Sequence, residues 1–395
     1  MPENLAFCLL LLLVVLAWVI GRAHGLRQAQ KKSNGDLSKH YFQGVNHLLN
    51  EQPDQAIDIF IRSVEVTPQT LETHLALGNS MRQKGEVDRA IRVHQNLLSR
   101  PGLNQHHIRQ AHLELARDFL NAGLLDRAER LFLELVDDAS GAFRQQSLRH
   151  LVQIYRDEQE WDKAIRAASM MERKLFRGGE NLAVEQAHFC CELAEQALNR
   201  GNHLDVRRHL KSALKFNKNS ARANALWGDQ EVAALNFYKA LKRYRCIPQQ
   251  QSDYLPEVIE RVRLCYESLG DNEGLFKQFK SWLKEYPGSS ILKAFVEVLR
   301  KKEGDDQAAH FLAEYLKKFP SLKGVNVLLD IHMRSIEGVT KDDLSLLKGI
   351  LNTISISQPN YRCKKCGFKG TQLHWLCPQC RCWETVKPIR NVIGE

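Results

Sequence analysis

The chain has 395 residues, of which 44% are hydrophobic and 26% charged, and this composition excludes an intrinsically disordered protein. The length fits two or three ordinary domains or one extended array of repeats. Lys and Arg number 56 against 46 acidic residues, and the formal net charge of +10 is compatible with an anionic surface, a nucleic acid or an acidic protein without selecting any of them.

The first predicted element is an apolar helix at the N-terminus. Residues 5–20, LAFCLLLLLVVLAWVI, are all apolar, and at about 1.5 Å per residue such a helix, with its flanking residues, reaches across a hydrocarbon core of about 30 Å. No Lys or Arg precedes this run, whereas a basic cluster begins at Arg22, which favours an uncleaved anchor with the following chain in the cytoplasm. We therefore predict a transmembrane anchor at residues 1–20 and a basic juxtamembrane linker at residues 21–36.

Residues 37–355 are predicted to form a helical repeat array. Apolar residues recur at spacings of three and four, which is typical of amphipathic helices. Gly44 and Gly78 are 34 residues apart, as are Gly270 and Gly304, and this interval is the period of the tetratricopeptide repeat. Further small residues in matching register are Ala90, Ala128, Ala164, Gly228 and Ala240. Repeats of this kind stack into a solenoid whose first helices line a binding groove.

The array carries no sequence signature of an enzyme. A serine nucleophile elbow, a phosphate-binding loop, a metalloprotease motif and a dinucleotide fingerprint are all missing from the sequence, so no catalytic residue and no organic cofactor is predicted. Asn79, Arg82 and Arg117 are candidates for the groove face. The adjacent His106 and His107 are interpreted as residues of a solvated connecting loop.

Residues 356–395 are predicted to form a small metal-binding domain. Two C-x-x-C pairs, separated by ten residues, supply the predicted ligands, which are Cys363, Cys366, Cys377 and Cys380. Four thiolates at about 2.3 Å from one tetrahedral ion replace the apolar core that so short a segment lacks. Zinc and iron both suit such ligands. Because this coordination is closed, the ion is expected to be structural.

Residues around the cysteine pairs are expected to complete the domain. Gly367 follows the first pair and allows the positive φ angle that closes the turn. Four aromatic side chains are expected to pack the domain and to press it onto the helical array: Tyr361, Phe368, Trp375 and Trp383. Cys382 is interpreted as a thiol outside the ligand set.

From end to end the chain resembles the lipopolysaccharide assembly protein B family of Gram-negative bacteria. The resemblance rests on segments such as LGNSMRQKGEVDRAIRVHQNLL, ARDFLNAGLLDRAERLF and LHWLCPQCRCWETVKPIR. It implies an all-α fold: a tetratricopeptide-repeat solenoid with a single N-terminal transmembrane helix and a small C-terminal rubredoxin-like or zinc-ribbon-like metal domain docked against the array. It also favours iron at the four cysteines, while zinc remains an alternative.

The resemblance further implies an adaptor without catalytic chemistry. Such a protein, located in the inner membrane, lowers lipopolysaccharide synthesis by promoting degradation of the committed-step lipid A deacetylase. The implied partners are this deacetylase, the membrane-anchored AAA+ metalloprotease and a periplasm-sensing membrane regulator. No nucleic acid partner is expected. Formation of a homo-oligomer is left open.

Two departures from a complete rubredoxin bear on the alternatives. Only ten residues separate the two pairs, and Arg381 stands where the second pair is often followed by Gly. Both count against electron transfer and neither counts against metal binding. The alternatives to the adaptor are a membrane-tethered, rubredoxin-like electron carrier and an RNA-binding module. The sequence lacks a stretch in which aromatic residues alternate with Lys or Arg, and this argues against RNA binding.

Overall fold

A computed structural model describes most of the chain after residue 67. Apart from isolated positions, the described residues are 68–100, 103–171, 179–335, 339–356 and 358–390. The predicted anchor and linker, except Trp18 and Arg22, and most of the first predicted repeat lie outside them. Within the described part of the chain, no helix is long and apolar enough to cross a membrane.

The chain divides into two compact units, an N-terminal unit at Met1–Glu158 and a C-terminal unit at Gln159–Glu395. The described helices of the N-terminal unit are α1 (Pro68–Gln83), α2 (Val87–Leu98), α3 (Gln105–Asn121), α4 (Leu125–Asp138) and α5 (Gly141–Asp157). Helix α1 packs on α2, and α3 packs on α4. The first helices α1, α3 and α5 also contact one another in sequence, and we call their shared surface the inner face of this unit.

The C-terminal unit continues the pattern of helix pairs. Its helices are α6 (Trp161–Ser169), α7 (Gly179–Asn199), α8 (His203–Phe216), α9 (Ala221–Ala233), α10 (Phe237–Tyr244), α11 (Ile247–Gln250), α12 (Ile259–Leu269), α13 (Asn272–Glu285), α14 (Ser289–Glu303), α15 (Asp305–Lys318), α16 (Leu322–Ser335) and α17 (Val339–Ile356). Helix α7 packs on α8 and α9 on α10, while α7 and α9 contact each other as first helices. A 3-10 turn at Ser252–Glu257 separates α11 from α12.

Small residues set the distance between paired helices, as the repeat predicts. Gly78 of α1 lies against the ring of His94 in α2, and Gly228 of α9 lies against the ring of Tyr244 in α10, so that a Cβ atom at either glycine would clash with the ring. In both units the aromatic partner follows the glycine by sixteen residues. The predicted alanines of the array are fully buried: Ala90, Ala128, Ala164 and Ala240. The register inferred from the sequence is therefore confirmed at these positions.

The interpretation of His106 and His107 as loop residues is wrong. The side chain of Asn104 accepts a hydrogen bond of 2.8 Å from the amide of His107, and this N-cap begins α3 at Gln105. The ring of His106 packs edge-on against Phe143 at 5.2 Å. Both histidines therefore belong to the first turn of α3. This helix begins at the N-cap Asn104, only three residues after Pro101.

The C-terminal cysteine-rich segment forms a three-stranded antiparallel sheet in the order β2-β1-β3. The strands are β1 (Tyr361–Cys363), β2 (Lys369–Gly370) and β3 (Val386–Pro388), with Cys363 opposite Val386. The chain then returns to the helices, since the amide of Leu322 donates to the carbonyl of Val392 at 2.8 Å. The hydroxyl of Ser289 donates to the carbonyl of Gly394 at 2.9 Å.

Candidate metal centre and its docking face

The structure brings the four predicted ligands together. Their Sγ atoms all lie within 4.8 Å of one another, with Cys363 and Cys380 at 3.7 Å and Cys366 and Cys377 at 3.6 Å. A tetrahedral ion with sulfurs at about 2.3 Å places those sulfurs about 3.8 Å apart, whereas a disulfide bond measures about 2.05 Å. The four thiols therefore have the spacing that one tetrahedral metal ion requires.

The first cysteine pair lies in a turn that follows β1. Gly367 has a φ angle of 81°, and its amide donates to the carbonyl of Cys363 at 3.1 Å. The amides of Lys365 and Cys366 lie 3.4 and 3.5 Å from the Cys363 sulfur. The predicted positive φ angle at Gly367 is confirmed, and the turn directs amide N–H groups at the sulfur of a predicted ligand.

The second cysteine pair has the same turn without a glycine. The amide of Arg381 donates to the carbonyl of Cys377 at 3.0 Å, and Arg381 has a φ angle of 53°. Arg381 thus adopts the left-handed conformation that Gly367 adopts in the first turn, at a cost of about 1–2 kcal/mol for an L-residue. The departure from the rubredoxin pattern leaves the turn geometry intact.

The environments of the thiols differ within the cluster. Burial by itself would raise the pKa of Cys363, but the Thr385 hydroxyl, 3.3 Å from its sulfur, and the neighbouring amide N–H groups lower this pKa below its ordinary value. Burial raises the pKa of the Cys377 thiol. The predicted outsider Cys382 has its sulfur 2.9 Å from Lys365 Nζ and is not part of the four-sulfur cluster.

The segment that carries the second cysteine pair also contacts the helices of the C-terminal unit, and we call residues 375–384 the docking loop. The Trp383 ring stacks on His188 of α7, with centroids 4.5 Å apart and planes 9° from parallel. The Trp375 ring lies 4.5 Å from Tyr254 of the 3-10 turn. The prediction that these tryptophans press the metal domain onto the array is confirmed.

Arg222 of α9 lies beneath both tryptophans. Its guanidinium carbon is 5.8 Å from the Trp375 centroid and 5.9 Å from the Trp383 centroid, within the range of cation–π contact. The side chain is 3% exposed and donates to Glu192 at 2.8 Å and to Glu195 at 2.9 Å. A buried guanidinium is thus paired by α7 on one side and covered by the docking loop on the other.

Glu384 extends the same contact. Its Oε1 lies 3.0 Å from His188 Nε2, and its Oε2 accepts from Gln251 at 2.7 Å. Burial lowers the pKa of His188 and would raise that of Glu384, whose bonds to His188 and Gln251 lower its pKa instead. The Glu384 carboxyl group therefore contacts an imidazole that is fully buried.

A second set of polar contacts lies at the sheet. Asp253 of the 3-10 turn accepts from Arg390 at 2.8 Å and lies 3.7 Å from Lys387. The hydroxyl of Tyr361 donates to Glu257 of the same turn. The irregular turn between α11 and α12 therefore provides the second contact surface of the metal domain.

Comparisons with known proteins cover the whole chain. It is 35% identical over 99% of its length to lipopolysaccharide assembly protein B of Escherichia coli K12, and the match covers 99% of that protein. It is 31% identical to lipopolysaccharide assembly protein B of Haemophilus influenzae, with 98% of each chain covered. The chain belongs to the lipopolysaccharide assembly protein B family.

Two parts of this family member match domain families separately. Residues 361–388 match the rubredoxin metal binding domain, and residues 73–104 match the tetratricopeptide repeat. Among solved structures, a tetratricopeptide repeat protein from Parabacteroides merdae is 13% identical, covers 67% of this chain and 99% of its own, and has a TM-score of 0.33.

The three groove candidates of this family member belong to one polar network on the inner face of the N-terminal unit. Arg82 donates to Asn79 at 2.5 Å, to Glu114 at 2.6 Å and to Asp118 at 2.7 Å. Arg117 donates to the other oxygen of Glu114 at 2.7 Å. The candidates therefore connect neighbouring first helices to one another.

Sequence reasoning did not identify the helix residues that receive the docking loop. His188 and Arg222 lie 195 and 161 residues before Trp383, and no local pattern pairs them with it. The one available signal is Arg222 itself, a charged residue within the alanine-rich start of α9, ARANAL.

Proposed function

We propose that this protein is a membrane-tethered adaptor that lowers lipopolysaccharide synthesis by promoting degradation of the committed-step lipid A deacetylase. In this proposal the membrane-anchored AAA+ metalloprotease cleaves the deacetylase, and a periplasm-sensing membrane protein regulates the adaptor. The observation that carries the proposal is the match along 99% of the chain to relatives named lipopolysaccharide assembly protein B.

The helix pairs support a binding role. Neighbouring first helices lie side by side, and repeats of this kind offer an extended surface to a protein partner. The charged groups of Arg82, Glu114 and Arg117 on this surface pair with one another, an arrangement unlike a nucleophile held beside a base. We therefore assign the protein recruitment of a client and no chemistry of its own.

The anchor predicted at residues 1–20 belongs to the same proposal. A single-helix tether keeps the adaptor in the membrane that holds the protease, with the repeat array on the cytoplasmic side. Confinement of this kind raises the effective concentration of the two partners, so that weak contacts with the client suffice.

We further propose that one metal ion binds the four cysteines and stabilises the C-terminal domain. Four thiolates complete a tetrahedral shell and leave no position for water or substrate. The resemblance to rubredoxin favours iron, and zinc fits the same sulfurs. The ion would supply structural cross-linking, while Gly367 and Arg381 shape the turns that present the sulfurs.

The cellular half-life of the lipid A deacetylase tests the adaptor function. It should be measured after a block of protein synthesis in cells with wild-type protein, with the protein depleted, and with the double variant Cys363→Ser and Cys377→Ser. We expect both depletion and the double variant to lengthen the half-life. Cys382→Ser serves as the matched control, because it removes a neighbouring thiol outside the ligand set and is expected to behave as wild type.

An unchanged half-life in depleted cells would overturn the adaptor proposal. A longer half-life on depletion together with a normal half-life in the double variant would keep the adaptor and remove the metal from its function. The experiment thereby tests the two parts of the proposal separately.

A further inference from the structure

The docking loop carries two functions in ten residues. Its middle holds the ligands Cys377 and Cys380, and its ends hold Trp375, Trp383 and Glu384, which contact the helices. The two ends are joined, since the amide of Glu384 donates to the carbonyl of Trp375 at 2.9 Å and Leu376 forms a β-bridge with Trp383. Any change in the position of the cysteines is therefore transmitted directly to the side chains that dock.

The metal domain has little apolar core of its own to hold this loop. Among its described residues the buried core cluster consists of Cys363, Cys377 and Val386, two of which are proposed ligands, while the buried Trp383 packs on α7. In a domain of this kind the free energy of metal binding is also free energy of folding. Further support for the docking loop comes from its contacts with α7, α9 and the 3-10 turn.

The helices in turn need the docking loop. Arg222 is 3% exposed, His188 is fully enclosed, and the indole rings and Glu384 close the space above them. Withdrawal of the loop would remove the hydrogen-bond partner of His188, its stacked indole ring and the cation–π contacts of Arg222, which are the favourable interactions that docking contributes. Docking and loop order therefore stabilise each other.

We infer that metal binding and docking on α7 and α9 are one coupled equilibrium, in which Arg222 and His188 are positioning residues for a metal site that they do not touch. Coupling between two sites is reciprocal, so whatever factor docking contributes to metal affinity, the metal contributes to docking. Metal loss thus uncovers α7 and α9, and weakened docking releases the metal. This inference goes beyond the adaptor function and holds for any client.

Zinc affinity of the full-length protein in detergent tests the coupling. Zn²⁺ is titrated in competition with a chelator at fixed pH, well below the temperature at which the helices unfold. We expect Arg222→Gln to lower the zinc affinity about tenfold, the scale of removing an outer support of a metal site. The matched control is Arg263→Gln, because Arg263 of α12 also bridges two glutamates, Glu260 and Glu297, and no contact joins it to the docking loop in the described structure.

Three outcomes are decisive. Weaker zinc binding in Arg222→Gln with wild-type affinity in Arg263→Gln supports the inference. Equal affinity in all three proteins overturns it, and so does an equal loss in both variants, which would reflect a general effect on the array. His188→Gln provides a second variant if Arg222→Gln lowers the helical content.

Amide hydrogen exchange on the wild-type protein gives the reciprocal measurement and needs no substitution. Removal of zinc by a chelator should raise exchange in α7 around His188 and in α9 around Arg222, and should leave α15 unchanged. Unaltered exchange in α7 and α9 on zinc removal would overturn the coupling. Neither arm depends on the deacetylase, so failure here is distinguishable from failure of the adaptor proposal.

Discussion

The inner face of the N-terminal unit and the surface formed by α7 and α9 in the C-terminal unit pair their charged side chains in different ways. In the N-terminal unit, Arg82, Glu114 and Asp118 pair across neighbouring first helices. In the C-terminal unit, Arg222 is paired by α7 and then covered by a loop that lies more than 150 residues later in the chain. In the part of the chain that the structure describes, the charges of the first face are paired by helix residues alone, whereas the second face is covered by the metal domain. The same helix-pair architecture thus yields one self-sufficient surface and one that depends on a separate domain.

The largest expected effect is on the face that depends on the metal domain. Cys363→Ser with Cys377→Ser removes two of the four proposed ligands, and we expect complete loss of the bound ion, because the domain has little apolar core to replace it. Elemental analysis measures the ion, and hydrogen exchange measures β1–β3 and α7. Cys382→Ser should retain one ion per chain. Loss of protection in α1, α3 and α5 of the double variant would contradict the independence of the N-terminal face.

The next effect breaks the self-sufficient face. Asp118 is fully buried and binds both Arg82, at 2.7 Å, and His94, at 2.5 Å. We expect Asp118→Ala to lower the free energy of unfolding by about 3–5 kcal/mol, because it breaks a buried ion pair: the fully buried His94 loses its acceptor, and Arg82 keeps only Asn79 and Glu114. Urea unfolding monitored by amide hydrogen exchange in α1, α2 and α3 measures this change in free energy.

Asp138→Ala is the control for Asp118→Ala, since Asp138 also pairs with an arginine, Arg109, but is largely exposed. We expect little change from it. Metal content should stay at the wild-type level in both variants. A loss of the ion in Asp118→Ala would show that the two faces are not independent.

A smaller effect is expected in both units, because both pack a glycine of one helix against an aromatic ring of the paired helix. Gly78→Ala and Gly228→Ala each place a methyl group against an aromatic ring of the paired helix. We expect each to lower the free energy of unfolding by about 1–3 kcal/mol. Gly349→Ala in α17 meets no neighbouring atom within 4 Å and should instead stabilise by up to about 1 kcal/mol. Equal effects at all three positions would contradict the close-packing role.

The smallest effect concerns the turns of the metal domain. Arg381 holds a left-handed conformation that glycine adopts without strain. We expect Arg381→Gly to stabilise the domain by less than about 1 kcal/mol, and Gly367→Ala to destabilise it by about 1 kcal/mol. Tryptophan fluorescence is followed during titration with a chelator. The chelator concentration at the midpoint of the change compares the stability of each variant with the wild type. A loss of stability in Arg381→Gly would show that the contacts of its side chain outweigh the backbone strain.

The parts of the fold that the sequence predicted are those set by local spacing. Gly78, Gly228 and the buried alanines follow from a repeat period, because a helix pair approaches closely only at small residues. The four cysteines come together because each pair is held within one turn. The error at His107 is also local, because the side chain of Asn104, three residues earlier, caps the helix that contains His107.

The docking site was not predictable in the same way. Trp375 and Trp383 were expected to contact the array, but the identity of their partners depends on which helices the chain end reaches. His188, Arg222 and Asp253 come from three elements, and their sequence separation from the docking loop carries no period. Long-range packing of this kind is decided by tertiary structure, which single-residue patterns do not encode.

The separation of His188 and Trp383 in the sequence also determines the order in which parts of the chain fold during synthesis. The 195 residues that separate them take about 10–40 s to translate at about 5–20 residues per second. During that time α7 and α9 have already left the ribosome, but the docking loop that covers His188 and Arg222 has not yet been made. The C-terminal unit therefore completes its folding only after the docking loop has been made, and the metal domain acts as its intramolecular folding partner.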